Sequence, residues 1–302
     1  WMTSLISQAI ADPEFRVQAL RFIDVLPTLH EDAELVAHLK EYFGDQDLPW
    51  PAVSDWGLQH SDAPWAVHIA APLVRATLRG LSRRFMGGRN TKQVRSTIGN
   101  LQRKGMDYTL DLLGEAVLSE AEANHYQQAY TTLLKDLAQP ACCGAGTQCP
   151  QVSIKLSSLY SQINPAAPQD SVAAITERLR PILATAREAG AGVTFDMEQY
   201  DFRHIVLQCF MSVMQEAEFR DWPDAGIAIQ TYLKDARDDL RVLFTWAEKR
   251  ATPFHIRLVR GAYWDYETVI GRLHGWEVPV WEDKALTDTC FESCLELLFS
   301  RP

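Results

Sequence analysis

The sequence predicts an α/β protein of the (β/α)8-barrel type, with about six βα units in residues 106–302, preceded by an all-helical region in residues 1–105. Three observations carry this reading. No strand pattern appears before residue 106. From there, strand-like stretches alternate with helical ones, which implies a parallel sheet with helices outside it. Four successive strands also carry an aliphatic face and a polar face in matching phase.

The helical region is read from periodicity. In "EDAELVAHLKEYF" the apolar positions Leu35, Val36, Leu39, Tyr42 and Phe43 fall at helical spacing. "WAVHIAAPLVRATLRGLSRRFMGG" repeats the pattern through Ile69, Leu73, Leu78, Leu81 and Phe85, with Arg83 and Arg84 in its last turn and Gly87-Gly88 as a stop. "NTKQVRSTIGNLQRKG" is a third helix.

The candidate strands are 106–113, 152–159, 192–198, 225–233, 254–263 and, less regular, 278–283. Between the first two, Ser119 and Glu122 stand at capping-box spacing. Pro181 inside a later helical pattern predicts a kinked or split helix. The absence of a G-x-G-x-x-G turn after the first strand disfavours a doubly wound dinucleotide-binding sheet.

Composition narrows the function. A hydrophobic fraction of 47% and a charged fraction of 23% are those of a soluble globular protein. A net charge of −10 argues against nucleic acid and against anionic membrane surfaces. No stretch is long and apolar enough to span a bilayer, and no signal peptide is present. Six cysteines do not make a disulfide scaffold, so a reducing, cytoplasmic compartment is expected. Trp1 and the closing Ser300-Arg301-Pro302 do not resemble natural termini, and a fragment of a longer protein is expected.

The candidate site comes from the polar residue within each strand. Lys155, Asp196, Gln230 and Arg257 each lie opposite an aliphatic pair: Ile154 and Leu156, Phe195 and Met197, Ile227 and Ile229, Ile256 and Leu258. A single charged strand residue is ordinarily at an edge, in water. Four in phase point either to a buried structural network or to a site at the C-terminal ends of barrel strands. Cys142, Cys143 and Cys149 sit in a Gly-rich loop without the four-ligand spacing of a zinc site, and no other metal pattern appears.

These stretches carry a family resemblance. "SIKLSSLY", "GVTFDME", "IAIQTYLKDA" and "IRLVRGAYWDYE" resemble the successive barrel strands of proline dehydrogenase. "MDYTLDLLGEAVLSEAEA" resembles the first barrel strand and its helix. "FRVQALRFIDVLPTL", residues 15–29, resembles the helical arm before that domain in the bifunctional proline utilization A enzymes. The resemblance implies noncovalently bound FAD and oxidation of L-proline to Δ1-pyrroline-5-carboxylate, the first step of proline catabolism to glutamate. It implies a quinone as electron acceptor, fusion to an aldehyde dehydrogenase domain, and a protein for which peripheral membrane contact and homo-oligomers are compatible partners.

The same resemblance implies Lys155, Asp196, Arg257 and Tyr263 as catalytic residues. It implies Met197, Gln230, Arg257, Val259, Gly261, Ala262, Tyr263, Trp264 and Lys284 as cofactor contacts, with Gly261 admitting backbone close to the cofactor. The "WED" before Lys284 departs from the family pattern. The count of six strands, and the absence of the paired-arginine motif that grips the substrate carboxylate and partners Glu115, lead to the expectation that residues 1–302 alone are inactive. Two other readings stay open here: a Schiff-base aldolase using Lys155, and a noncatalytic fragment.

Overall fold

The computed structural model describes residues 11–43, 64–114, 116–138 and 150–300. The chain divides into two compact units, residues 1–94 and 95–302.

The first unit is helical. Asp12 caps α1 (Pro13–Val25) by accepting from the Glu14 and Phe15 amides, and Pro13 occupies the first turn, where its missing N–H costs nothing. α2 (Asp32–Phe43) and α3 (Pro64–Phe85) follow, and α4 (Thr91–Gln102) contains the division between the units. The core joins Phe15 and Phe22 to Leu35, Val36, Leu39 and Phe43, and these to Ala70, Ala71 and Val74. The Phe43 ring centroid lies 5.7 Å from that of Phe15 and 5.6 Å from that of Phe22. Periodicity placed Ile69 on the inner stripe of α3, but Ile69 is 49% exposed. The buried stripe is instead alanine-rich, and these small side chains leave room for the aromatic rings of the core.

The second unit is an α/β fold with a five-stranded parallel sheet, consistent with part of a TIM barrel. Its strands are β1 (Thr109–Asp111), β2 (Gln151–Ile154), β3 (Gly192–Phe195), β4 (Ala225–Gln230) and β5 (His255–Val259), paired in that order. The helices between and after them are α5 (Glu120–Leu137), α6 (Pro168–Glu188), α7 (Arg203–Val213), α8 (Ala236–Arg250), α9 (Trp264–His274) and α10 (Lys284–Phe299). Ser119 accepts from the Glu122 amide at the start of α5, as the capping spacing predicts. α6 runs as one helix through Pro181, so the pattern there is not split in two.

The sixth candidate strand does not join the sheet. Residues 278–283 make only an isolated antiparallel bridge, Val280 to Leu233, flanked by hydrogen bonds from the Lys234 amide to the Pro279 carbonyl and from the Trp281 amide to the Tyr232 carbonyl. Pro279 has no N–H to donate to a ladder, which limits this stretch to a short contact. On the aliphatic face, Val152, Ile154, Val193, Phe195, Ile227 and Ile229 are buried. Ile256 and Leu258 are half-buried, because β5 is the sheet's edge among the described residues.

Candidate functional site

The parallel register brings the polar side chains of the sheet together at its C-terminal end. Asp111 pairs with Ser153 across β1 and β2, and Ala228 with Arg257 across β4 and β5. Lys155 and Asp196 stand one residue beyond the ends of β2 and β3, where the Asp196 amide still donates to the Ile154 carbonyl. Because strand side chains alternate faces, these residues share the face opposite the aliphatic one.

Asp111, Lys155, Asp196 and Arg257 line a cleft of about 500 Å³. The Lys155 ammonium lies 2.6 Å from both Asp111 oxygens and 3.2 Å from Asp196 Oδ2. The Arg257 guanidinium donates to the other Asp196 oxygen, and its second arm donates to Ser153 Oγ at 2.8 Å. Two cations and two carboxylates therefore balance at the cleft floor. Burial alone would lower the Lys155 pKa, but the hydrogen bonds and negative charges of Asp111 and Asp196 outweigh it and hold the ammonium above the usual lysine value.

A second network lies against the first. The buried Glu198 carboxylate accepts from the Ser157 amide and hydroxyl, and Ser157 in turn accepts from the Ala116 and Val117 amides. Gln230 donates through Nε2 to the Met197 and Glu198 carbonyls at 2.5 and 3.3 Å. Its Oε1 is buried with no partner among the described residues. An unmet buried acceptor costs about 1–3 kcal/mol, so this atom suits an N–H brought by a ligand.

Of the residues singled out from sequence, Lys155, Asp196, Met197, Gln230, Arg257, Val259, Gly261, Ala262 and Tyr263 all line the cleft. Trp264 and Lys284 do not line it. Trp264 opens α9, with its indole N–H donating to the Trp281 carbonyl at 2.8 Å, and Lys284 is exposed and bonds Asp288 at 2.7 Å, one turn along α10. Gly261 lines the cleft, and the structure shows a further need for a bare Cα there. Its φ is +124°, and an added Cβ would lie 2.5 Å from the Tyr232 ring, so the missing side chain makes room for Tyr232. Glu115 and the Cys142, Cys143 and Cys149 loop lie outside the described residues.

Sequence reasoning missed Asp111, Ser153 and Arg260. Asp111 could have been found by extending the alternation to the first strand, where it follows Thr109 in phase. Ser153 shares the inward face with Lys155, but nothing in the sequence marks it as the partner of Arg257. Arg260 also lines the cleft, with its Nε 2.6 Å from Asp288.

A parallel βα sheet with a charged cleft at its strand C-termini is the arrangement of a TIM-barrel enzyme. The proline dehydrogenase family matches residues 94–302, and the proline utilization A N-terminal domain matches residues 1–85. The chain belongs to the proline dehydrogenase family. It is 30% identical over 237 residues to the bifunctional protein PutA of Klebsiella aerogenes, a match that covers 76% of this chain and 18% of that protein. It is 29% identical over 216 residues to proline dehydrogenase 1 of Bacillus subtilis strain 168, covering 72% of this chain and 60% of that one. Among solved structures it is similar to proline utilization A from Bdellovibrio bacteriovorus inactivated by N-propargylglycine, with a TM-score of 0.87 and 34% identity over 99% of this chain and 30% of that chain. The chain thus spans under a fifth of the length of the bifunctional relative.

Proposed function

We propose that the cleft is the site of FAD-dependent oxidation of L-proline to Δ1-pyrroline-5-carboxylate, with a quinone as the final electron acceptor. One observation carries the reading: a charge-balanced Lys155–Asp196–Arg257 array faces a cleft at the strand C-termini, within the segment matched by the proline dehydrogenase family. The flavin ring fits the residues present. The orphaned Gln230 Oε1 offers an acceptor to a ring N–H, and the Arg257 guanidinium offers a cation to an electron-rich ring edge. When bound, FAD supplies the two-electron acceptor for hydride from the carbon beside the proline nitrogen.

The chain's own residues do the rest. Met197, Gln230, Arg257 and the Val259–Tyr263 segment would hold the ring. Arg257, fixed by Ser153 and Asp196, would stabilise negative charge that develops on reduction. Lys155 would present a fixed cation to the substrate carboxylate, Asp196 a carboxylate to the substrate nitrogen, and Tyr263 would cover the substrate. Trp264 and Lys284 stay as proposed cofactor contacts through parts of FAD beyond the cleft. A cytoplasmic protein that meets quinone at a membrane periphery completes the proposal; no described helix is long and apolar enough to cross a membrane.

The Asp111 and Asp196 carboxylates around the Lys155 ammonium favour its charged form and argue against the aldolase alternative, because a Schiff-base lysine must lose its proton to attack. The test is a flavin spectrum of the purified full-length protein, followed by anaerobic addition of L-proline. Bleaching of the flavin band supports the proposal. A colourless protein in which borohydride traps a carbonyl substrate on Lys155 would overturn it.

A further inference from the structure

Glu267 stands in the first turn of α9, and its side chain points inward, 6% exposed. Its Oε1 accepts from the Tyr200 amide at 2.7 Å. Tyr200 opens a 3-10 turn, Tyr200–Phe202, that runs directly into α7, and neither Gln199 nor Phe202 caps that start with its side chain. The first N–H groups of a helix have no partner within it. Here one of them is met by a carboxylate from a different element, with the sign that suits a helix N-terminus.

Neither Tyr200 nor Glu267 lines the cleft, but each lies next to a stretch that does: Asp196–Met197 on one side and Tyr263 on the other. Tyr200 follows shortly after Asp196 and Met197, while Glu267 lies one turn beyond Tyr263, whose carbonyl accepts the Glu267 amide at 2.9 Å. Gln230 holds the Asp196 segment from β4 through the Met197 carbonyl. Glu267 is the corresponding hold from the β5 side. Burial pushes its carboxyl above the usual range, a strain that a leucine of similar size would not carry.

We propose that Glu267 is a positioning residue, which sets the span between the Asp196–Met197 edge and the Tyr263 edge of the cleft by capping the Tyr200 amide across the sheet. Its effect on turnover rests on the proposed proline oxidation; its effect on the Tyr200 amide does not. It touches no reacting atom, so its loss falls mainly on how tightly the substrate is gripped.

The experiment compares the full-length flavoprotein with Glu267→Gln, which keeps the carbonyl acceptor, Glu267→Leu, which keeps the volume, and Glu267→Asp, which keeps the charge but shortens the reach. Steady-state kinetics with L-proline are measured beside amide hydrogen exchange of the peptide containing Tyr200. Glu267→Leu and Glu267→Asp are expected to raise KM about 10-fold with a smaller change in kcat, and to speed exchange at Tyr200 by about 10-fold, while Glu267→Gln stays near wild type in both. If Glu267→Leu does not fold, the Glu267→Asp and Glu267→Gln pair makes the same comparison. Unchanged exchange at Tyr200 in Glu267→Asp, or equal damage in Glu267→Gln and Glu267→Asp, would overturn the proposal. So would exchange raised uniformly along α7 and α9 with kcat and KM moved together. A wild-type protein that proline does not reduce would sink the proposed reaction, and the exchange data would still judge the cap.

Discussion

Two buried ionic clusters lie at the same end of the sheet, and they differ in one respect. The first is the Asp111–Lys155–Asp196–Arg257 array, which opens into the cleft. The second centres on Arg203, which bonds Asp239 at 2.9 Å and Asp235 at 3.0 Å, lies over the Tyr200 ring at 5.1 Å, and lines no part of that cleft. Both are charge networks under helices. In the open cluster, Asp111 is 46% and Arg257 38% exposed on the side chain, so a ligand can exchange with the existing partners. In the second cluster, Arg203 and Asp239 are each 7% exposed and serve each other, and Asp235, though 38% exposed, does not face the cleft. Neither charge burial nor partial exposure alone therefore marks a site; a charge network that faces a cleft does.

The comparison breaks most visibly at Arg203. Arg203→Met leaves Asp239 and Asp235 without their cation, and removing one partner of a buried pair is expected to destabilise by roughly 3 kcal/mol. Turnover per folded molecule should stay within a few-fold of wild type. Urea unfolding followed by assays at matched folded fraction measures both; a large loss of turnover with stability intact would move Arg203 into the active site. Asp196→Ala is the converse case. Turnover should fall about 100-fold with smaller losses of flavin content and stability, because water and Asp111 remain near Lys155. A mutant retaining near wild-type turnover would remove Asp196 from the proposed site.

A third expected effect is a pH dependence. Burial pushes the Asp239 carboxyl up to about 6 from 3.8, against the pull of Arg203. A carboxyl with a raised folded pKa holds its proton more tightly when folded. Its contribution to stability is therefore fully present below about pH 4 and is lost as pH rises through about 6. Relative to Asp239→Asn, the wild type should lose about 2–3 kcal/mol of stability across that window. Urea midpoints compared across the same pH range give the answer. A difference that stays flat or grows with pH would mean that Arg203, not burial, governs this carboxyl.

Much of the fold was written in local pattern. Alternation along β2 to β5 alone picks out Lys155, Asp196, Gln230 and Arg257, because side-chain direction in a strand depends only on position. Ser119 and Glu122 marked the start of α5 for the same local reason. The pattern failed where a neighbour decided the outcome. Ile69 satisfies helical periodicity, yet the packing of α3 buries the alanines beside it. Residues 278–283 have strand composition, but Pro279 and the Tyr232–Lys234 backbone reduce them to a single bridge.

By itself, then, the sequence determined the βα order, the inner and outer faces of four strands and, through its motifs, the family. Only the tertiary structure decided who meets whom. Lys155 and Asp111 are far apart along the chain, and so are Arg257 and Ser153, and Glu267 and Tyr200. Those pairings follow from strand order and register, which place strands side by side in space. The same is true of Gly261, whose need for a bare Cα is set by the Tyr232 ring against it. Periodicity is a property of one segment, whereas a contact belongs to two, and that second partner is what the linear pattern does not contain.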